Sequence, residues 1–191
     1  MPCAVLNDSE VTKRLRSWAP APSPPALTIG RVLRDYWRSD WPAEGMATLT
    51  RLRIETGTGR VESRAVASGI SHEFPKFDPR RVGKPYRYAY IACNPAHATR
   101  GLQQQVGKVD VESGALTTHD FAPDRYVGEP YFIPTGAGED EGVVVTIVFD
   151  AASQLSAIVG LDARDIAAKP LFTARLKHHV PYGLHGCFSR D

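Results

Sequence analysis

The sequence predicts an all-β fold, an open arc of β-propeller blades that follows an irregular N-terminal arm. Three pairs of β-prone runs each flank a short turn containing Gly or Ser: LTRLRIE and RVESRAV, QVGKVDV and ALTTHDF, and GVVVTIVFD and QLSAIVGLD. The acids that enter these turns, Glu55, Asp110 and Asp150, recur about 40 to 55 residues apart, which is near the spacing of four-stranded propeller blades. Two or three such blades cannot close a ring, because closure needs roughly four blades or more.

Residues 1–44 are predicted to form the arm. The stretch WAPAPSPPALTIG holds four prolines, which remove backbone donors and fix φ, so neither a helix nor a central strand can continue through it. The runs VTKRLRSW and IGRVLRDYWRSDW on either side could each form a turn or two of helix. The chain therefore divides at residue 44, with the β-rich part at residues 45–191.

Two further strands complete the β-rich part. PYRYAYIAC places Tyr86, Tyr88 and Tyr90 on one face, as a half-buried strand does. PLFTARL follows the third hairpin closely enough to extend it into a three-stranded meander.

Composition excludes several classes of protein. Lys plus Arg number 23 and Asp plus Glu number 21, a net charge of +2, so the chain lacks the basic stripe that nucleic-acid binding requires. Three cysteines without CxxC spacing argue against a disulfide framework and a zinc ribbon, and favour a reducing compartment. No run approaches the roughly eighteen apolar residues that span a bilayer. We expect a soluble, cytoplasmic protein without a nucleic-acid partner.

Common catalytic motifs are missing from the sequence. It has no nucleophile elbow, GxGxxG, Walker loop or HExxH, and the glycines of TGAGEDEG lie among acids that repel phosphate. What remains is a set of polar residues between apolar or conformationally fixed neighbours: Glu73 in HEFPKF, Glu129 in YVGEPYFIP and His185 in VPYGLHG. From spacing alone, the simpler interpretation is two turn glutamates and a core histidine bonded to a carbonyl group.

A local metal site formed by His178, His179, His185 and Cys187 is the least favoured alternative. Adjacent residues of an extended chain point to opposite faces, so His178 and His179 cannot easily share a metal. The spacing of the four residues also matches no tetrahedral zinc motif.

Three motifs in order resemble those of a known family. EFPKFDPRRVGKPYRYAY, YVGEPYFIP and the terminal VPYGLHG are similar to the C-terminal third of the carotenoid cleavage oxygenases, which include apocarotenoid and lignostilbene dioxygenases, over residues 47–188. The resemblance implies two to three blades of a seven-bladed β-propeller that holds a non-haem Fe(II) on its axis through four histidines. By resemblance, His185 is the last iron ligand, and Glu73 and Glu129 are carboxylates that orient the ligands.

The resemblance also implies an activity. The family uses O2 to cleave a conjugated C=C bond of a carotenoid, apocarotenoid or stilbene, so the substrate would be an apolar conjugated small molecule. The family enzyme is more than twice as long, and one of its four ligands is identified here. We therefore expect a fragment with an incomplete iron site, completed by a missing N-terminal half or by self-association. The alternative is a non-catalytic β-rich binding or assembly module derived from that fold.

Three structural expectations follow from the resemblance. Residues 180–187 should be ordered and buried against the tyrosine-rich strand or the strand after Glu129. Glu129 should lie within hydrogen-bond reach of His185, since a metal-bound imidazole needs an acceptor at its other nitrogen. Glu73, whose histidine partner is not in this chain, should either turn outward or stay inside with a raised pKa.

Overall fold

The computed structural model describes residues 49–67, 70–94, 102–181, 183 and 185–189. The predicted arm and its boundary at residue 44 lie outside these residues. Regular structure within them is all β except for one 3-10 turn at Pro79–Arg81, which confirms the predicted fold class, and no described helix is long and apolar enough to cross a membrane. The strands are β1 (Leu49–Ile54), β2 (Val61–Ala67), β3 (His72–Lys76), β4 (Tyr88–Cys93), β5 (Gln105–Asp110), β6 (Leu116–Asp120), β7 (Arg125–Val127), β8 (Tyr131–Pro134), β9 (Gly142–Asp150), β10 (Leu155–Asp162) and β11 (Phe172–Arg175).

The strands pair antiparallel in a ribbon and two larger sheets. β1 and β2 form the two-stranded ribbon. β3, β4, β5 and β6 lie side by side in chain order and are called the first blade below. β9, β10 and β11 form another meander, and β7 and β8 both pair with β9; these five strands are called the second blade. Meanders of this kind are the units from which propellers are built.

One edge of β9 is shared by β7 and β8 in succession. β7 pairs with the C-terminal part of β9 and β8 pairs with its N-terminal part. Between them the chain leaves the ladder over residues 128–130. The amide of Gly128 donates to the carbonyl of Ile147 at 2.8 Å, and the hydroxyl of Thr146 donates to the carbonyl of Gly128 at 3.0 Å. The interruption is therefore fixed by hydrogen bonds to β9.

All three predicted hairpins are confirmed, and so is the extension of the third hairpin by β11. Oδ1 of Asp110 accepts from the amides of Glu112 and Ser113 at 2.9 and 3.2 Å, and Oδ1 of Asp150 accepts from the second and third amides after it at 3.0 and 2.9 Å. However, the turn that begins at Asp110 joins β5 and β6, the last two strands of the first blade. The turn that begins at Asp150 joins β9 and β10, the two middle strands of the second blade. Because such Asx turns occur in many hairpins, the sequence distance between the turn acids does not give the length of one blade repeat.

Two apolar cores lie on opposite faces of the first blade. The core between the blades contains Tyr90, Ala92, Val106, Phe121, Val127, Phe132, Val144, Val148, Val159, Leu161, Ala163 and Ile166. The core between the first blade and the ribbon contains Val66, Ala67, Ala89, Ile91, Cys93, Val109 and Val111.

β4 is buried on both faces, so the prediction of a half-buried strand was wrong. Tyr90 and Ala92 face the core between the blades, and the residues between and beside them face the other core. Those neighbours are small or aliphatic and pack against a second layer that the tyrosine pattern does not reveal. Tyr86 precedes the strand and stacks on Phe77 instead, with ring centroids 4.5 Å apart.

Residues 135–141, the loop between β8 and β9, tie the blades together. Oε1 of Glu139 accepts from the backbone amide of Tyr88 at 2.8 Å. The carboxylate of Asp140 lies 2.7 Å from Nζ of Lys108. Arg80 donates to two carbonyl groups of the loop at 2.6 and 3.0 Å. The acids of TGAGEDEG thus hold the first blade against the second.

Candidate functional site

Glu129 and His185 lie together, as the sequence predicts. Nδ1 of His185 is 3.1 Å from Oε1 of Glu129, a contact between residues 56 positions apart in the chain. Glu129 belongs to the interruption between β7 and β8, and its side chain is only 7% exposed. A carboxylate that is buried to this extent requires several hydrogen-bond partners.

Backbone atoms of the terminal segment (residues 180, 181, 183 and 185–189) form hydrogen bonds with Glu129 and with the second blade. The amide of Gly186 donates to Oε2 of Glu129 at 2.7 Å, and the hydroxyl of Tyr131 donates to the carbonyl of Gly186 at 2.7 Å. The amide of Val180 donates to Oγ of Ser156 at 2.9 Å. The terminal segment therefore lies against the strand after Glu129, as predicted.

The predicted burial of residues 180–187 is wrong. The His185 side chain is 75% exposed. Gly183, Gly186 and Cys187 are also exposed, and Val180 is half-buried. Polar tethers fix the terminal segment on its inner side, but the described residues supply no layer that covers its outer side. An apolar composition leads to burial only where such a layer exists.

Lys76 is a site residue that the sequence analysis missed. Its Nζ lies 2.8 Å from Oε1 of Glu129 and 4.9 Å from the centroid of the Tyr131 ring. Lys76 stands on β3 of the first blade, whereas both of its partners belong to the second blade. The sequence could have indicated such a residue only through chemistry, because a buried carboxylate needs a positively charged partner.

Both charges of the Lys76–Glu129 pair are stabilised. Burial alone would raise the pKa of Glu129, but hydrogen bonds from Lys76, the Gly186 amide and His185 outweigh burial and lower that pKa below its ordinary value. The hydrogen bond to Glu129 raises the pKa of Lys76, against the opposing effect of desolvation. The carboxylate and the ammonium group are therefore both ionised at neutral pH.

The contact with Glu129 determines which ring nitrogen of His185 is available. When Nδ1 carries the proton and donates to the carboxylate, Nε2 carries the free lone pair. The ring of Phe74 lies edge-on to the imidazole, with centroids 5.7 Å apart and planes at 83°. A carboxylate that orients an imidazole in this way is the usual arrangement behind a metal-binding histidine.

An apolar groove of about 370 Å³ adjoins His185. One wall is the terminal segment. The other is the face of the second blade that points away from the core between the blades, and it presents Ile133, Val145, Ile147 and Ile158.

Glu73 does not join this site. It is exposed on β3, opposite Ala92 of β4, and its side chain has no hydrogen bond or ion pair with another residue that the structure describes. Of the two predicted outcomes, the outward orientation is the one observed. The preceding residue, His72, is buried, and its Nε2 accepts from the amide of Leu49 at 2.6 Å. A role for Glu73 behind a metal ligand stays a prediction.

The residues that the structure describes do not form a complete metal site. Among them, no group of three or more His, Cys, Asp or Glu side chains could hold an ion. The local site considered above is therefore not formed by His178, His179, His185 and Cys187. Toward an iron centre these residues offer one well-oriented imidazole, and the role of His185 as a ligand stays a prediction.

Comparisons with known proteins identify the family. Residues 10–190 match the family model described as RPE65, retinal pigment epithelial membrane protein. The chain is 40% identical over 146 residues to apocarotenoid-15,15'-oxygenase of Synechocystis sp., and this match covers 74% of the chain and 29% of the relative. It is 28% identical over 159 residues to lignostilbene-alpha,beta-dioxygenase isozyme III of Sphingomonas paucimobilis, covering 76% of the chain and 32% of the relative.

A solved structure shows the same architecture. The crystal structure of cobalt-substituted Synechocystis ACO superposes with a TM-score of 0.72 at 37% identity, covering 76% of this chain and 31% of that one. The chain thus spans about a third or less of the length of these relatives. Its two described blades are part of a β-propeller whose ring they do not close. The protein belongs to the RPE65 family, the carotenoid cleavage oxygenases.

Proposed function

We propose that this chain forms the C-terminal blades of a non-haem Fe(II) dioxygenase that uses O2 to cleave a conjugated C=C bond of a carotenoid, apocarotenoid or stilbene. The observation that carries the proposal is the contact between Nδ1 of His185 and the buried carboxylate of Glu129. The names of the relatives, an apocarotenoid oxygenase and a lignostilbene dioxygenase, supply the reaction and the substrate class.

The chemistry of the donor supports an iron ligand at His185. A neutral imidazole is a common ligand of non-haem iron, and its orientation by a carboxylate raises its basicity. One imidazole does not hold Fe(II) against water, so the remaining ligands would come from outside the residues that the structure describes. When bound, Fe(II) supplies open coordination positions for O2. The part of Glu129 is to hold the imidazole so that Nε2 is free.

The groove beside His185 supports an apolar substrate. Isoleucine and valine side chains of the second blade form one wall of the groove. The candidate iron ligand, His185, lines the same groove. A conjugated hydrocarbon chain is the kind of ligand that such a wall would contact by burial of apolar surface. We propose O2 as the second substrate, no nucleic-acid partner and a cytoplasmic location.

A chimera tests the proposal. Residues 46–191 would replace the matching C-terminal part of the Synechocystis apocarotenoid oxygenase, and iron per chain would be measured after anaerobic Fe(II) loading. We expect about one iron per chimera and O2 consumption with an apocarotenoid, whereas His185→Ala lowers bound iron about tenfold or more. His178→Ala, a change at an exposed histidine, is the matched control. Equal iron binding with and without His185 would refute the proposed ligand.

The chain alone should bind far less than one iron per molecule and consume no O2 with a stilbene or apocarotenoid. Stoichiometric iron in the isolated chain, lost in His185→Ala, would instead show that this chain completes the site by itself or through self-association.

One observation favours the alternative of a non-catalytic binding or assembly module. Leu52, Ile54 and Val61 of the ribbon are exposed apolar residues, as expected of a surface that another protein covers. Under this alternative, the chimera would fold but would neither bind iron through His185 nor consume O2.

A further inference from the structure

We infer that Lys76 is a positioning residue: it holds the Glu129 carboxylate in place, and the carboxylate in turn sets the orientation and tautomer of the His185 imidazole. The inference rests on the proposed function, because it matters for chemistry only if His185 is a metal ligand. Lys76 acts through Glu129, which is the group that its ammonium contacts.

Within the described part of the chain, the carboxylate receives three donors from two separate segments. Oε1 faces Nζ of Lys76 at 2.8 Å and Nδ1 of His185 at 3.1 Å, and Oε2 accepts from the amide of Gly186 at 2.7 Å. The last two donors belong to the terminal segment, whose side chains at His185 and Cys187 are exposed. Of these three donors, Lys76 is the one that belongs to a β-strand, the edge strand β3 of the first blade. It is the fixed point against which the carboxylate is oriented.

Lys76 is itself closely constrained. It lies opposite the fully buried Tyr90 in the pairing of β3 with β4. Its side chain is 30% exposed, and its ammonium lies over the Tyr131 ring at cation–π distance. The hydroxyl of Tyr131 donates to Gly186, so ammonium, ring, carboxylate and terminal segment form one closed network. In such a network each bond restricts the geometry of the others.

Among the residues that the structure describes, removal of the ammonium would leave Glu129 bonded only to the terminal segment that it has to hold. A buried carboxylate without its cation is costly, so it turns toward water. Nδ1 of His185 then loses its fixed acceptor, and both neutral tautomers become populated. A guanidinium at position 76 keeps a charged donor on β3 and should preserve the arrangement.

The test measures which ring nitrogen of His185 carries the proton in the metal-free full chain, by long-range 15N–1H correlation NMR at about pH 8. The His185→Gln variant, which lacks this imidazole, identifies the ring signals that belong to His185. Lys76→Met removes the ammonium, Lys76→Arg keeps a cation, and Lys84→Met, at an exposed loop lysine, is the matched control. We expect the Nδ1–H form at about nine-tenths or more in the wild type, Lys76→Arg and Lys84→Met, and at less than about two-thirds in Lys76→Met.

A nitroxide on Cys187 gives a second readout. Cys187 is exposed and Cys93 is buried, so labelling in a Cys3→Ser background selects the terminal segment. We expect sharper spectral lines in Lys76→Met and in Lys76→Gln, the second variant should the first fail to fold, and wild-type lines in Lys76→Arg. An unchanged tautomer and line shape in a folded variant without the ammonium would overturn the inference. Neither readout needs iron, so an iron-free chimera would refute the proposed function and leave the positioning role standing.

Discussion

A single carboxylate, Glu129, binds Lys76 of the first blade and two donors of the terminal segment. Burial opposes its ionisation, yet the hydrogen bonds lower its pKa below the ordinary 4.5. A group whose folded pKa is depressed contributes stability above its unfolded pKa and loses that contribution as the pH falls through the folded value. The terminal segment should therefore stay docked at neutral pH and be released in acid.

Glu129→Gln should release the terminal segment at neutral pH. Glutamine has nearly the size of glutamate but carries no charge, and its one carbonyl oxygen cannot replace both carboxylate oxygens as acceptors for the Gly186 amide, Lys76 and His185. We expect exchange of the Gly186 amide to accelerate about tenfold or more, which corresponds to about 1–2 kcal/mol. The wild type should show the same acceleration, after correction for intrinsic exchange, only as the pH falls below 4.5. Glu73→Gln, at an exposed glutamate, is the control, and continued protection of Gly186 in Glu129→Gln would contradict the prediction.

At the scale of elements, Asp110 fixes the hairpin of β5 and β6 by its charge and by its acceptor atoms. The hydrogen bond from Arg87 is the main cause of the strongly lowered pKa of Asp110, ahead of the opposing desolvation and the amide bonds of the turn. Nη2 of Arg87 lies 2.8 Å from Oδ2 of Asp110. The arginine is about half exposed, so solvent screening limits the value of the ion pair.

Two substitutions separate these contributions. Asp110→Asn removes the charge and keeps Oδ1, so we expect the free energy of unfolding to fall by about 0.5–1 kcal/mol at pH 7. Asp110→Ala also removes the acceptor, and we expect about 1–2 kcal/mol. The difference in free energy of unfolding between wild type and Asp110→Asn is fully present above the ordinary pKa of 3.8. It should shrink as the pH falls below that value. Urea unfolding at several pH values tests this, with Glu112→Gln in the same turn as the control; a difference that is independent of pH would be inconsistent with the ion pair.

The elements that the sequence predicts well are those whose determinants are local. Turn acids and alternating apolar residues define the hairpins without reference to the rest of the chain. By contrast, the two-sided burial of β4 and the place of Lys76 depend on contacts between blades, which no local pattern encodes. Glu73 and Glu129 look alike in sequence. They differ because Glu73 lies on the exposed side of β3, next to an irregularity in its pairing with β4, whereas the interruption between β7 and β8 turns Glu129 inward.

At the scale of the whole described region, sheets that do not close a ring leave apolar surface at both ends. At one end is the groove beside the terminal segment. At the other, Ile54 pairs with Val61 on the ribbon, and both are exposed together with Leu52. Arg51 and Arg53 alternate with these residues along β1, so the ribbon has an apolar and a charged face. Exposed apolar faces of this kind favour association.

Leu52→Lys with Ile54→Lys should reduce concentration-dependent association of the chain. The side chains are 59% and 60% exposed, so the melting temperature should change by no more than about 2 °C. Sedimentation velocity at increasing protein concentration is the measurement, and Arg51→Gln with Arg53→Gln is the matched control on the charged face. Equal association of wild type and the double lysine variant would exclude the ribbon as the associating surface.

The interruption at residues 128–130 also affects how this blade can change during evolution. In a continuous strand, the loss of one residue reverses the face of every later side chain. Here the ladder starts again at Tyr131, which pairs with its own stretch of β9. An insertion or deletion within the interruption would therefore move Glu129 while Phe132 keeps its place in the core between the blades. The site can diverge in length without a change of register in the sheet that supports it.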